Sequence, residues 1–192
     1  MAAVVYESLL ESTTHLKEGK VGVLPTDTIY GICASARNKE SVERVYALRG
    51  RDTDKPCIIL VHSREALAEF ALEVDSAIES LLSRVWPGPV SVVFECSGEQ
   101  LHYLHRGTNT LCFRVPANEN LRELLKQTGP LIAPSANTQG EPPAATCEEA
   151  RRYFGDSVDF YVDGGEQKSE PSTVIELTPD GYQVLRKGKG DV

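Results

Sequence analysis

Long apolar runs are missing from this chain: none of its 192 residues falls in a stretch approaching the roughly 20 apolar residues of a membrane helix. The first residues lack the basic, apolar and small-residue succession of a secretory signal, so export would require a signal outside the chain. No CxxC pair occurs. The five cysteines (Cys33, Cys57, Cys96, Cys112 and Cys147) are odd in number and lack an evident His, Asn or Asp partner for nucleophilic catalysis. They are expected as buried or incidental thiols of a reducing compartment. The string GxxxxGK followed by Ser or Thr is absent, which excludes a Walker-type phosphate loop. Positive charge is scarce: 20 Lys and Arg against 28 Asp and Glu give a net charge of −8. That balance excludes nucleic-acid binding by bulk charge, though not a local basic groove. Repeats, low-complexity runs and interdomain linkers are also absent.

An apolar content of 41% with 25% charged residues suits a globular protein in water. One domain is the simplest reading, with ample chain for a core. An amphipathic helix is predicted over residues 5–18, ended by Gly19. Asn38 is placed to cap a helix with an apolar stripe at Val42, Val45, Tyr46 and Leu48. Ser63, Asp75 and Asn118 begin three more, and Thr146 with Glu149 forms a capping box for another. Strands are predicted at 21–24, 57–61, 90–95, 110–115, 131–133, 158–162 and 172–177. The last turns through Pro179-Asp180-Gly181 into an antiparallel partner at 182–185. Residues 98–107 read as a loop with two surface histidines, His102 and His105, and no third metal ligand nearby. Interleaved strands and helices, joined by hairpins, indicate an α/β (α+β) class with a mixed sheet.

The stretch 21–61 organises the rest. Its first strand breaks at Pro25 into Thr26-Asp27-Thr28; a helix follows, and Arg49, Arg51 and Lys55 gather around Gly50 before a second strand. Strand ends of this kind make crevices for small polar ligands. Guanidinium groups meet phosphate with paired donors, and an ammonium meets it as a mobile point charge. A solvated loop of surface charge would give the same pattern. Ser135 and Asn137 directly follow the strand at 131–133, where they either close a turn or donate to a ligand. Thr26, Thr28, Ser172 and Thr173 carry the same two readings. Asp27 reads as a turn cap, and Lys187-Gly188-Lys189-Gly190 as a mobile end.

Seven segments (PTDTIYG, RGR with the later KP, WPGPVS, FRVP, APSAN, PSTVIEL and VLRKG) stand in the order of the YrdC-type family. The chain resembles that family from about Leu9 to Gly188. The resemblance implies a single YrdC-like domain over residues 1–192: a twisted mixed parallel and antiparallel sheet with flanking helices and a concave open face. It implies a nucleotidyltransferase, an L-threonylcarbamoyladenylate synthase. Such an enzyme joins L-threonine, bicarbonate and ATP into threonylcarbamoyl-AMP and pyrophosphate, for the threonylcarbamoyl-adenosine of tRNA. Arg51, Ser135 and Asn137 would then face the nucleotide phosphates, with Arg49 standing where the family has Lys. Lys55, Thr110, Pro143 and Arg186 match further nucleotide-contacting positions, although the family usually has Ser at Pro143. Thr28, Leu60, Arg114, Ala133 and Ser172 match the threonine pocket, Arg114 as partner of the carboxylate. Some members carry His at the Leu60 position. The resemblance also implies Mg²⁺ on the ATP phosphates without a dedicated protein metal site, a cytoplasmic location and no membrane. Its implied macromolecular partners are tRNA or downstream threonylcarbamoyl-transferase proteins. The alternative is a YrdC-like protein that binds RNA or nucleotide without catalysis; the Arg49 replacement favours it, and the acidic balance weighs against it.

Overall fold

The computed structural model describes residues 2–50 and 56–192. Among them, ten strands are found: β1 (Val4–Tyr6), β2 (Gly22–Pro25), β3 (Tyr30–Ser35), β4 (Ile58–Leu60), β5 (Val90–Glu95), β6 (Thr110–Arg114), β7 (Leu131–Ile132), β8 (Phe160–Val162), β9 (Thr173–Thr178) and β10 (Gly181–Arg186). They form one mixed sheet in the order β1-β8-β2-β3-β7-β4-β6-β5-β9-β10. Four neighbouring pairs run parallel, β1 with β8, β8 with β2, β4 with β6 and β5 with β9. The others are antiparallel, including the terminal hairpin β9–β10.

The α-helices are α1 (Thr13–Lys17), α2 (Lys39–Arg49), α3 (Ser76–Val85), α4 (His102–His105), α5 (Glu119–Thr128) and α6 (Cys147–Phe154). Side-chain caps begin four of them. Asn38 accepts from Ser41 N–H, Asp75 from Ile78 N–H, Asn118 from Leu121 N–H and Thr146 from Glu149 N–H. Gly50 ends α2 with φ +57°, a left-handed conformation that glycine adopts without cost.

Three expectations need correction. Residues 4–6 are an edge strand rather than helix; the helical turn starts only after Ser8, whose N–H is capped by Glu11 at 2.9 Å. Residues 30–35 form a strand that the pattern did not predict, because it is buried on both faces and shows no polar alternation. The segment 98–107 contains α4, and His105 is buried there, its Nδ1 accepting from Gly107 N–H at 3.1 Å. His102 is exposed, as expected.

Neighbouring residues on the central strands go to opposite sides, as a period of two requires. Val23, Ile32, Ile59 and Tyr161 join one core cluster with Val45 of α2, Leu82 of α3, Leu104 of α4 and Phe154 of α6. Leu24, Cys33, Leu60 and Phe160 join the other, with Leu16 of α1 and Leu121, Leu124 and Leu125 of α5. Each fully buried Leu stabilises the fold by roughly 1.5–3 kcal/mol. The second cluster takes no residue from β5, β6, β9 or β10, so the sheet's second face is open over those strands.

Candidate active site

Strand alternation builds a cavity on that open face. On β6, Leu111 and Phe113 go to the core, which assigns Thr110, Cys112 and Arg114 to the other side. Across the ladder Cys112 stands beside Ile58 and Val93, and Val93 beside Glu176. These side chains and Val174 line a cavity of about 430 Å³ together with Thr26, Thr28, Gly31, Ala133, Ser135, Pro143, Ser172 and Arg186.

Pro25 ends β2, and Thr26 closes the turn that follows. Thr26 Oγ1 donates to Ile29 O at 2.7 Å and accepts from the N–H groups of Thr28 and Ile29 at 3.2 and 3.3 Å. The Thr28 hydroxyl lies 3.1 Å from Thr26 Oγ1. Thr28 lines the cavity, and its hydroxyl can both donate and accept.

Arg114 enters from β6. Its Nη2 lies 3.1 Å from Asp27 Oδ1, and the two side chains are only 4% and 6% exposed. Asp27 Oδ2 accepts from Ala117 N–H at 2.9 Å. The expectation that Asp27 caps its turn is corrected: Thr26 does so, and the Asp27 carboxylate reaches Ala117 and Arg114 instead. Among the described residues, neither Arg114 Nε nor Asp27 Oδ1 has a hydrogen-bond partner, so the ion pair is close but poorly aligned. Burial pulls the guanidinium below its usual pKa, and Asp27 opposes that pull. A buried cation with donors to spare is suited to a carboxylate ligand.

Opposite stands Ser172, its hydroxyl 2.9 Å from that of Ser91. Arg186 donates to Ser172 O from Nε (3.2 Å) and Nη2 (2.8 Å), and Nη2 also reaches Ser172 Oγ at 3.3 Å. A bulge brings Arg186 there: Val184 pairs with Ile175 but Arg186 with Val174, so Leu185 is an extra residue in β10. Bulges commonly re-aim a side chain in this way.

The Ser135-Ala136-Asn137 turn is bound to β3 by a bridge between Gly31 and Ser135 and by Ala136 N–H on Tyr30 O at 2.9 Å. Arg49, only 4% exposed, reaches it from the end of α2. It donates to Asn137 O at 3.0 Å, Asn137 Oδ1 at 3.1 Å and Ser135 Oγ at 3.1 Å. The Asn137 amide donates onward to Thr138 O and Glu141 O, both at 2.8 Å. Ser135 lines the cavity, whereas Arg49 and Asn137 brace it from behind. Arg49 thus meets the turn with the planar donor fork of a guanidinium, which an ammonium would not present.

All five cysteines are buried. Burial pushes the Cys33 and Cys112 thiols up to about 12, so Cys112 meets the cavity as a neutral thiol. Among the described residues no three His, Cys, Asp or Glu side chains are grouped to hold a metal, and no helix is long and apolar enough to cross a membrane.

The Sua5–YciO–YrdC family model, which carries the description "Telomere recombination", matches residues 14–188. The chain belongs to this family. It is 35% identical, over 90% of its length, to a threonylcarbamoyl-AMP synthase of Pyrococcus abyssi, of which it covers 52%. It is 34% identical, over 87% of its length, to the threonylcarbamoyl-AMP synthase of Idiomarina loihiensis, of which it covers 92%. The crystal structure of P. abyssi Sua5 complexed with L-threonine superposes with a TM-score of 0.88 at 31% identity, covering 98% of this chain and 58% of that one. Escherichia coli YciO gives 0.85 over 99% of this chain and 96% of its own, at 24% identity, a likeness of fold alone. The chain thus spans about half the length of the P. abyssi relative.

In this Sua5–YciO–YrdC family member, Thr28, Thr110, Arg114, Ala133, Ser135, Pro143, Ser172 and Arg186, all named from sequence, line one cavity. Leu60 does not; it is fully buried in the second core cluster. Its ladder neighbour Arg114 reaches the cavity from the next strand. Arg51 and Lys55 lie outside the described residues. Sequence reasoning missed the roles of Asp27 and Ser91, and the lining residues Ile58, Val174 and Glu176. The period of two on 57–61 and 172–177 carried a signal for Ile58, Val174 and Glu176. Nothing local marked Ser91.

Proposed function

We propose that this family member is a threonylcarbamoyl-AMP synthase, a nucleotidyltransferase that converts L-threonine, bicarbonate and ATP to threonylcarbamoyl-AMP and pyrophosphate. The observation that carries this reading is the convergence of Arg114, Thr28 and Ser172 with Ser135, Thr110 and Arg186 around one cavity. In it, Arg114 takes the carboxylate of threonine, and Thr28 and Ser172 take its polar groups. Ala133 and Ile58 give an apolar wall for the methyl group. Ser135, Thr110 and Arg186 meet the nucleotide, and Arg51 and Lys55 are assigned to it from the resemblance.

The chemistry needs no protein nucleophile. The threonine amine attacks the carbon of bicarbonate, water leaves, and an N-carboxylate forms. A carboxylate oxygen then attacks the α-phosphorus of ATP, the bond to the β-phosphate breaks, and pyrophosphate departs. Holding two reactants in line contributes roughly 7–11 kcal/mol towards lowering such a barrier. Arg186 offsets developing negative charge. Glu176 is the one carboxylate lining the cavity among the described residues, which does not make a protein cage for Mg²⁺. The donor set fits an ion carried mainly by phosphate and water. The product would serve threonylcarbamoyl transfer to tRNA by downstream proteins.

The test is pyrophosphate release measured with each co-substrate omitted in turn. Release should require L-threonine, bicarbonate and ATP together. Release that ignores threonine or bicarbonate would overturn the assignment.

A further inference from the structure

The Lys187-Gly188-Lys189-Gly190 segment is not a mobile end. Gly188 N–H donates to Thr173 Oγ1 at 3.1 Å, Lys189 N–H to Pro171 O at 2.9 Å, and Thr173 Oγ1 to Gly190 O at 2.5 Å. Both glycines permit contact that no other residue would allow. A Cβ on Gly188 would overlap the Pro171 carbonyl, and one on Gly190 would stand 2.6 Å from Pro89 O. The segment is thereby laid against 171–173, the wall that carries Ser172. From this position the Lys189 ammonium donates to the backbone carbonyl of Asp27 at 2.8 Å. Asp27 holds Arg114 through its side chain and is followed in the chain by Thr28.

We infer that Lys189 is a positioning residue, and that with Gly188 and Gly190 it clasps together the two walls that grip the amino-acid substrate. One wall is the 26–28 turn with Thr28 and, through Asp27, Arg114. The other is the 171–173 segment with Ser172. Among the described residues no backbone ladder joins these two walls directly; the 188–190 clasp spans them. Lys189 lies one residue past the range that the family model matches, and Gly188 is the last residue within it. The substrate part of the inference rests on the function proposed above; the mechanical part stands on the contacts alone.

Two measurements on Lys189→Ala, beside Lys189→Arg, decide it. The first is amide hydrogen exchange of residues 26–29 in the ligand-free protein. Exchange should quicken in Lys189→Ala and stay near the parent rate in Lys189→Arg, which can still donate. The second is calorimetric titration. The Kd for L-threonine, with nucleotide present, should rise about fivefold in Lys189→Ala, the scale of one hydrogen bond exposed to water. The Kd for ATP should not change. Unchanged exchange at 26–29 overturns the clasp. Equal weakening of ATP and threonine overturns its restriction to the amino-acid walls. If the parent protein binds no L-threonine, the substrate reading falls, and exchange at 26–29 still decides whether Lys189 ties the turn.

Discussion

Two arginine–aspartate pairs in this molecule are built to opposite specifications. Arg44 and Asp159 join α2 to the loop before β8, with side chains 40% and 29% exposed. Asp159 accepts from Val21 N–H at 2.8 Å and from Arg44, and Arg44 donates also to Ser157 O at 2.6 Å. Both carboxylate oxygens and both terminal guanidinium nitrogens of that pair are engaged. Arg114 and Asp27 are nearly sealed from water, yet meet through one oblique contact and leave donor and acceptor atoms unsatisfied among the described residues. A buried charge without full pairing costs stability. Of the two arginines, Arg114 is the one that lines the cavity, where the function proposed above gives its spare donors a carboxylate.

The comparison breaks most visibly at Arg114. Arg114→Ala should lower kcat/KM for L-threonine by at least about 100-fold, on the scale of ~3 kcal/mol for losing a buried charge partner. Steady-state pyrophosphate release checks this. Arg44→Ala, measured alongside, should leave kcat/KM within about twofold of the parent. Equal losses in both would mean that the two pairs do not differ in kind. A smaller effect is expected from Asp159→Asn: about 1 kcal/mol of stability for so exposed a pair, or ~2–4 °C in Tm.

The smallest effect is a pH dependence. Burial would raise the Asp159 pKa, but Arg44, Val21 N–H and Lys20 together hold it below the ordinary aspartate value. Its contribution to stability is thus complete above the unfolded pKa of about 3.9 and is lost as pH falls through the lower folded value. Thermal unfolding of Asp159→Asn should therefore decline less steeply than that of the parent below about pH 4. A parallel decline would remove Asp159 from the acid response.

Much of this architecture could be read from local chemistry. Asn38, Asp75, Asn118 and Thr146 announced helix starts because a cap acts within three residues of itself. The alternation of 110–115 separated Arg114 from Phe113 before any fold was known. What stayed hidden depends on distant contacts. Residues 30–35 gave no period because helices cover both of their faces. Arg49 read either as a phosphate-facing cation or as surface charge, and only the approach of Asn137, 88 positions away in sequence, shows why it is buried. Lys189 looked free because glycine, in sequence, signals latitude; here it marks backbone packed against backbone.

The last strand, β10, lies at the sheet's rim, bonded to β9 alone and exposed along its whole length. Arg186 belongs to it, whereas Arg114 sits on a strand flanked by β4 and β5. Rim strands open at lower free energy than central ones. The two guanidinium groups that line the cavity thus stand on unequal supports: Arg114 is held by strands on both sides, and Arg186 by β9 and its bonds to Ser172.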